Sequence, residues 1–119
     1  MKKILLIAVV VLAVIIFWFL RSPEQASGQL DEFAKCIAAN DITMYGADWC
    51  PHCQNEKKAF GSSFGYIPYV ECPDNPKQCI DMGITEYPTW IFWDGRKFES
   101  EMGINKLSRE SGCPLPENK

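Results

Sequence analysis

The chain divides into an apolar N-terminal run and a longer region in which apolar and polar positions alternate. Residues 4–20 are 17 consecutive apolar positions, preceded by Lys2 and Lys3 and followed by Arg21. As a helix rising about 1.5 Å per residue, this run would span about 25 Å, near the lower limit for crossing a bilayer. The pattern therefore predicts a transmembrane helix over residues 1–21.

A cleaved signal peptide is the alternative interpretation of this run. Signal peptides usually have an apolar region of about 7–15 residues and a small-x-small cleavage site. The run here is longer, and the residues after Arg21 offer only a poor site. We therefore predict a retained signal-anchor in the cell membrane. By the positive-inside rule, Lys2 and Lys3 place the N-terminus in the cytoplasm and the rest of the chain in the periplasm or at the cell exterior.

Beyond the anchor, the pattern predicts a polar linker over 22–29 and one folded domain over 30–119. Strands separated by helices predict parallel pairing, and Asp94-Gly95 predicts a hairpin that adds an antiparallel edge. Trp90, Phe92 and Trp93 are expected in the core. The predicted elements are a helix from residue 30 to just before Asn40, a strand over 42–46, a helix over 54–61, a strand over 67–71, a short helix between Pro76 and Gly83, strands over 89–93 and 97–102, and a helix over 106–111 with Asn105 as its N-cap.

Charge and cysteine content narrow the environment of this domain. All 15 acidic residues follow Arg21, against nine lysines and arginines in the same region. The resulting excess of negative charge argues against nucleic acid as a partner. Six cysteines in so short a chain agree with an exported domain, because disulfides persist in oxidising compartments.

The segment Cys50-Pro51-His52-Cys53 carries the candidate chemistry. Two cysteines separated by two residues can close into a disulfide and reopen, which passes two electrons to another thiol pair. Because Cys50 would lie at a helix N-terminus, free backbone N–H groups and the helix dipole favour its thiolate form. His52 is the only histidine, and it could further favour that thiolate or be a solvent-facing turn residue.

The other four cysteines allow three pairings. We favour Cys72 with Cys79, which would staple a loop, and Cys36 with Cys113, which would tie the first helix of the domain to the chain end. Electron relay from Cys72 and Cys79 to the central pair is the alternative. We expect no metal and no cofactor, because a c-type haem needs a histidine where Gln54 stands, and the Cys72–Cys79 spacing is too wide for the usual zinc ribbon.

The order of elements, with the cysteine pair after the first strand and Tyr87-Pro88-Thr89 before the third, resembles the thioredoxin fold. That fold is an α/β architecture with a central mixed sheet flanked by helices, preceded here by one transmembrane helix. The resemblance implies that Pro88 is cis and borders a substrate groove. Trp49, Tyr87 and Thr89 are expected to contact substrate, with ordinary packing as the alternative for Trp49 and Tyr87.

A narrower resemblance rests on the segments 44–54, 68–72 and 83–90. They look like the thioredoxin-like domain that accompanies bacterial and archaeal homologues of vitamin K epoxide reductase (VKOR), and the dipeptide between the cysteines is that of the periplasmic oxidase DsbA. The resemblance implies that the domain oxidises the thiols of exported proteins. A separate quinone reductase of the VKOR or DsbB type would then reoxidise it.

One position departs from thioredoxins, which carry a buried acid six residues before the first active-site cysteine. Met44 occupies that position here. Proton transfer would then depend on water, His52, Asp48 or Glu56. The sequence thus predicts an enzyme, a membrane-anchored protein thiol-disulfide oxidoreductase acting as an oxidase. A membrane-tethered reductant or isomerase of the cytochrome c maturation type and a non-catalytic binding module are the rivals.

Overall fold

The computed structural model of the chain describes residues 1–20 and 28–117. The predicted linker over 22–29 therefore lies almost entirely outside the described residues. Helix α1, Lys2–Leu20, buries no residue and has a mean hydropathy of 3.0. It is long and apolar enough to cross a membrane, a property that a cleaved signal sequence shares.

The folded domain contains short helices around a small sheet. Each strand has only three or four residues, so the helices and the disulfides supply much of the packing. The elements after α1 are α2 (Asp31–Ala39), β1 (Thr43–Gly46), α3 (Pro51–Phe60), a 3₁₀ helix (Gly61–Tyr66), β2 (Tyr69–Glu71), α4 (Pro76–Asp81), β3 (Thr89–Ile91), β4 (Lys97–Glu99) and α5 (Gly103–Ser111).

The four strands form one sheet in the order β2-β1-β3-β4. β1 is parallel to β2 and antiparallel to β3, and β4 is antiparallel to β3. This order and these directions are those of the thioredoxin fold, so the predicted fold class is confirmed. The prediction that all helix-separated strands pair in parallel is wrong for β3. The connection over 72–88 is long enough for a parallel crossover, which needs about a dozen residues or more. Its only helix, α4, has six residues and does not carry the chain back along the sheet, so β3 starts at the end where β2 stops.

The main core lies between one face of the sheet and helices α2, α3 and α5. Met44 and Trp90 are paired across β1 and β3 and are both fully buried. Phe60 of α3 stacks against Phe33 of α2, with ring centroids 5.7 Å apart, and lies 6.4 Å from Trp90. Tyr45 points to the other face, where it belongs to a smaller buried cluster next to α4.

The prediction that Trp93 lies in the core is wrong. Trp90 and Phe92 are buried as predicted, whereas Trp93 is 57% exposed. β3 ends at Ile91, and a turn closed by the hydrogen bond from Gly95 N to Phe92 O begins immediately. The turn places Phe92 inward, and Trp93 remains on the surface.

Helix α5 starts earlier than predicted. It begins at Gly103 rather than at residue 106, and β4 ends at Glu99 rather than at 102. The N–H groups of Met102 and Gly103 both donate to Oε1 of Glu56, at 2.9 Å for Gly103. A carboxylate from α3 therefore caps α5, in place of the predicted Asn105.

Two disulfides close the domain. Cys36 of α2 is joined to Cys113 beyond α5, 77 positions away, and Cys72 is joined to Cys79, seven positions away. This is the pairing that the cysteine spacing favours. Cys50 and Cys53 remain free thiols.

Candidate active site

Cys50 is the N-cap of α3. Its backbone N–H donates to Ala47 O at 3.1 Å, which closes the turn after β1. Pro51 takes the first helical position, where no N–H is needed. The backbone N–H of Cys53 donates to Cys50 Sγ at 3.4 Å. The Cys50 sulfur thus accepts a hydrogen bond from one of the free N–H groups at the helix start, as the motif predicts. The helix itself begins at Pro51, three residues before its predicted start.

The two cysteines differ little in exposure, and both residues are buried. Cys50 is 6% exposed and Cys53 is 1% exposed. The Cys50 thiol donates to Tyr87 O at 3.6 Å, and the Tyr87–Pro88 peptide bond is cis. Cys50 therefore faces the loop that carries Pro88, which is itself buried.

Cys53 is protonated at neutral pH. Burial raises the pKa of the Cys53 thiol to about 12, and a hydrogen bond with Cys50 acts in the same direction. The backbone N–H of Ala47 opposes this effect only in part. A charge on Cys53 is therefore costly and needs support from neighbouring groups.

Gly46, at the end of β1, lies directly against Cys53. A Cβ atom built on Gly46 would be 2.8 Å from Cys53 Sγ and 3.4 Å from Cε2 of Tyr69. The first distance is below any normal contact, so no larger residue fits without movement. Cys53 and the Tyr69 ring consequently meet across the missing side chain of Gly46.

We expect Gly46→Ala to destabilise the chain by about 1–3 kcal/mol, because the added methyl group overpacks this site. Gly65→Ala is the matched control, since a Cβ there meets nothing within 4 Å. Urea unfolding of the full chain in detergent measures both variants. Equal stabilities of the two variants would contradict the close approach of Gly46 and Cys53.

His52 is held by a carboxylate from the segment before α5. Its Nδ1 lies 2.9 Å from Glu101 Oε2, and the same oxygen accepts a hydrogen bond from Asn55 Nδ2 at 3.3 Å. The hydrogen bonds from His52 and Asn55 hold the pKa of the Glu101 carboxyl below its usual range. In the described structure His52 therefore makes its hydrogen bond to Glu101 and not to Cys50. The predicted stabilisation of the Cys50 thiolate by His52 would have to act at a distance, through charge on the imidazole ring.

The two acids considered for proton transfer have other partners. Asp48 is exposed and lies 2.9 Å from Nζ of Lys57, and this contact holds the pKa of Asp48 below its ordinary value. Glu56 is 1% exposed and caps α5. Burial raises the pKa of Glu56, against the opposing effect of the N–H groups of Gly103 and Met102. The structure therefore assigns Glu56 a structural task at the junction of α3 and α5.

The raised pKa of Glu56 gives a pH-dependent expectation. A carboxyl whose pKa is higher in the folded chain stabilises the fold fully below its unfolded value of about 4.3, and that contribution is lost as the pH rises through the folded pKa. Glu56→Gln keeps an oxygen acceptor but does not titrate. We therefore expect this variant to gain stability relative to the native chain between pH 4 and pH 8, as measured by urea unfolding.

Glu101→Gln is the control with the opposite sign. The pKa of Glu101 is lowered in the fold, so its contribution is present at neutral pH and is lost on acidification. Acidification from pH 7 to pH 3 is therefore expected to destabilise the native chain relative to the Glu101→Gln variant. If the stability of both variants relative to the native chain changed with pH in the same direction, the opposite pKa shifts of Glu56 and Glu101 would be ruled out.

The predicted substrate contacts separate into two groups. Trp49 is 69% exposed and makes an edge contact with the half-buried Tyr87, with centroids 6.0 Å apart. These two rings form an accessible aromatic surface beside Cys50. Thr89 is instead buried, and its hydroxyl donates to Glu86 O at 2.7 Å. Thr89 therefore fixes the proline loop and does not present its side chain to a substrate.

The Cys72–Cys79 disulfide lies apart from the active pair. It belongs to the cluster around Tyr45, whereas Cys50 and Cys53 belong to the main core on the other side of the sheet. This placement favours a loop staple over an electron relay.

Sequence reasoning missed a polar cluster next to Cys53. Lys57 lies four positions after Cys53 in α3, and its Nζ is 4.1 Å from the ring centroid of Tyr69. The Tyr69 hydroxyl donates to Glu71. The helical spacing of Cys53 and Lys57 is visible in the sequence, but their meeting with β2 depends on the fold.

Comparison with known proteins gives a partial match. No protein-family model matches the chain. It is 35% identical to thiol-disulfide oxidoreductase LTO1 of Arabidopsis thaliana over 91 residues, which cover 69% of this chain and 24% of that protein. It is 29% identical to the thioredoxin domain-containing protein 5 homolog of Drosophila melanogaster over 99 residues, or 72% of this chain and 24% of that protein. The chain thus spans about a quarter of the length of these curated relatives.

Among solved structures, a thioredoxin of Fasciola hepatica is similar at 21% identity and a TM-score of 0.40, covering 68% of this chain and 88% of that one. The strand order and directions described above identify the fold independently of that likeness. The chain therefore has a thioredoxin fold, and its relatives include a named thiol-disulfide oxidoreductase.

Proposed function

We propose that this chain is a membrane-anchored thiol-disulfide oxidoreductase that introduces disulfides into exported proteins. The observation that carries the proposal is the free Cys50–Cys53 pair at the start of α3, with the Cys50 sulfur at the N-cap and facing the cis-proline loop. The sequence similarity to a named thiol-disulfide oxidoreductase supports the same chemistry.

The proposed cycle starts from the Cys50–Cys53 disulfide. A substrate thiolate attacks Cys50 Sγ, a substrate–Cys50 disulfide forms, and the electron pair of the broken bond leaves with Cys53, which then takes a proton. A second substrate thiolate attacks the substrate sulfur of the mixed disulfide, and Cys50 leaves as a thiolate. Two substrate thiols are thereby oxidised to one disulfide, and the Cys50–Cys53 pair is reduced.

The N-cap position favours this direction of electron flow. The Cys53 N–H and the dipole of α3 favour negative charge on Cys50, so the reduced pair is stabilised and Cys50 is a good leaving group. Stabilising the reduced form makes a dithiol pair a stronger oxidant; each 30 mV or so corresponds to about 1.4 kcal/mol. An acid at the position of Met44, which would help a reductant, is absent from the sequence.

The proposed partners follow from the anchor and from the cycle. The apolar α1 would hold the domain at the outer side of the membrane, close to newly exported thiols. The reduced pair has to return two electrons and two protons to an acceptor. We propose a VKOR- or DsbB-like quinone reductase in the same membrane, on a separate chain.

The full chain, purified in detergent and oxidised, tests the function. Mixed with a reduced two-cysteine peptide, it is expected to produce one peptide disulfide per chain. Its reduction potential is expected well above the value of about −270 mV typical of thioredoxin. A potential near that of thioredoxin would favour a membrane-tethered reductant or isomerase. If Cys50 and Cys53 did not react with the peptide at all, the non-catalytic binding module would be the remaining alternative.

A further inference from the structure

Lys57 is enclosed by the groups around Cys53. Positions 53 and 57 are one helical turn apart and lie on the same face of α3. The Lys57 side chain is only 26% exposed, its Nζ lies 2.9 Å from Asp48 Oδ1, and the same atom lies 4.1 Å from the Tyr69 ring centroid. Cation–π and carboxylate contacts thus hold the ammonium from two sides.

Glu71 fixes both of the groups that hold Lys57. One of its oxygens accepts the Tyr69 hydroxyl, and the other accepts the backbone N–H of Asp48 at 2.9 Å. Burial and the hydrogen bond to Glu71 raise the pKa of Tyr69, so the ring remains a neutral phenol. Cys53 Sγ and Tyr69 Cε2 lie 2.8 Å and 3.4 Å from the position that a Cβ on Gly46 would take. The ammonium over the Tyr69 ring therefore lies on the side of α3 that carries Cys53.

We propose that Lys57 is a positioning residue that stabilises the negative charge on Cys53 at the moment when the Cys50–Cys53 disulfide opens. This inference rests on the proposed function. In the opening step the attacking sulfur bonds to Cys50, the S–S bond breaks, and the electron pair passes to Cys53 Sγ. A proton from water then neutralises the sulfur.

A buried sulfur needs such a partner because burial penalises a lone charge. Cys53 is 1% exposed, and Lys57 is the cation whose charge lowers the pKa of its thiol. Two other ionisable side chains near the cysteines have partners elsewhere. Glu56 accepts hydrogen bonds from the start of α5, and His52 contacts Glu101. Asp48 is 78% exposed, so solvent screens its opposing charge.

The test measures how fast a small thiol, dithiothreitol, opens the Cys50–Cys53 disulfide of the full chain in detergent. We expect Lys57→Met, which keeps the apolar stem, to slow opening about tenfold, equivalent to about 1.4 kcal/mol in the activation free energy. Lys57→Arg, which keeps the charge, is expected to restore the rate to within about threefold of the native chain, because the guanidinium remains charged but differs in shape from the ammonium. Lys58→Met is the matched control, because Lys58 is the exposed neighbour on α3, and its rate is expected to be unchanged.

A second readout separates charge from packing and from the function itself. In a Cys50→Ser background, alkylation of Cys53 by iodoacetamide between pH 7 and pH 10 is expected to slow in Lys57→Met and to recover in Lys57→Arg. An unchanged rate in Lys57→Met, or an equal loss in Lys57→Arg, would overturn the inference. Neither measurement needs a client or a quinone reductase. A result against the role of Lys57 would therefore leave the proposed disulfide introduction standing, and a failure of disulfide introduction would leave the role of Lys57 standing.

Discussion

Cys50→Ser is expected to abolish disulfide transfer to a reduced peptide, by about a thousandfold or more, as for loss of other enzymatic nucleophiles. The serine keeps the N-cap hydrogen bond from Cys53 N, so the fold and α3 should be retained. Without the Cys50 sulfur, neither the active disulfide nor the mixed disulfide can form. The decrease of free peptide thiols with time measures the effect.

Two companion variants sharpen the result. Cys53→Ala leaves Cys50 as a lone thiol, so this variant is mixed with the oxidised peptide instead. The Cys50 thiolate should open the peptide disulfide and release one peptide thiolate, and the mixed disulfide should accumulate because no second cysteine of the active pair resolves it. Cys72→Ala with Cys79→Ala should leave transfer intact, because that pair lies on the other face of the sheet. Continued disulfide transfer by Cys50→Ser would reject the proposed cycle. Loss of transfer in the folded variant that lacks Cys72 and Cys79 would favour electron relay through that pair.

Removing the Cys36–Cys113 disulfide is expected to lower the free energy of unfolding by roughly 4–5 kcal/mol. The bond closes a loop of 77 positions, and a longer loop removes more entropy from the unfolded chain. Typical domains have only about 5–15 kcal/mol of stability in total. Cys36→Ala with Cys113→Ala should therefore bring this small domain near its unfolding threshold.

The Cys72–Cys79 disulfide provides the internal comparison. It spans seven positions, and its removal should cost only roughly 2–3 kcal/mol in the same chain-entropy description. Urea unfolding of both double variants, with the full chain in detergent, gives the two values. Equal losses would show that native-state contacts, rather than loop length, determine the contribution of each bond.

Local patterns predicted the elements that depend on neighbours in sequence. The Cys50-Pro51-His52-Cys53 segment begins a helix because the N-cap, the proline and the following helix-forming residues are adjacent. The same holds for the turn at Asp94-Gly95. The order of helices and strands, and from it the thioredoxin fold, could be obtained in this way.

Long-range contacts account for the differences. The start of α5 depends on Glu56, which lies 46 positions before Met102, so the local choice of Asn105 as the cap failed. The direction of β3 depends on where the chain re-enters the sheet, not on the spacing of helices. For the same reason, the association of Lys57 with Tyr69 and Glu71 could not be read from the sequence.

The enclosure of the Cys50 sulfur bears on when the proposed oxidase would act during secretion. Because Cys50 is only 6% exposed and lies beside the cis-proline loop, its sulfur is more readily reached by a cysteine on an extended stretch of polypeptide than by one recessed in a folded partner. Clients would accordingly be crosslinked while still emerging, before they collapse.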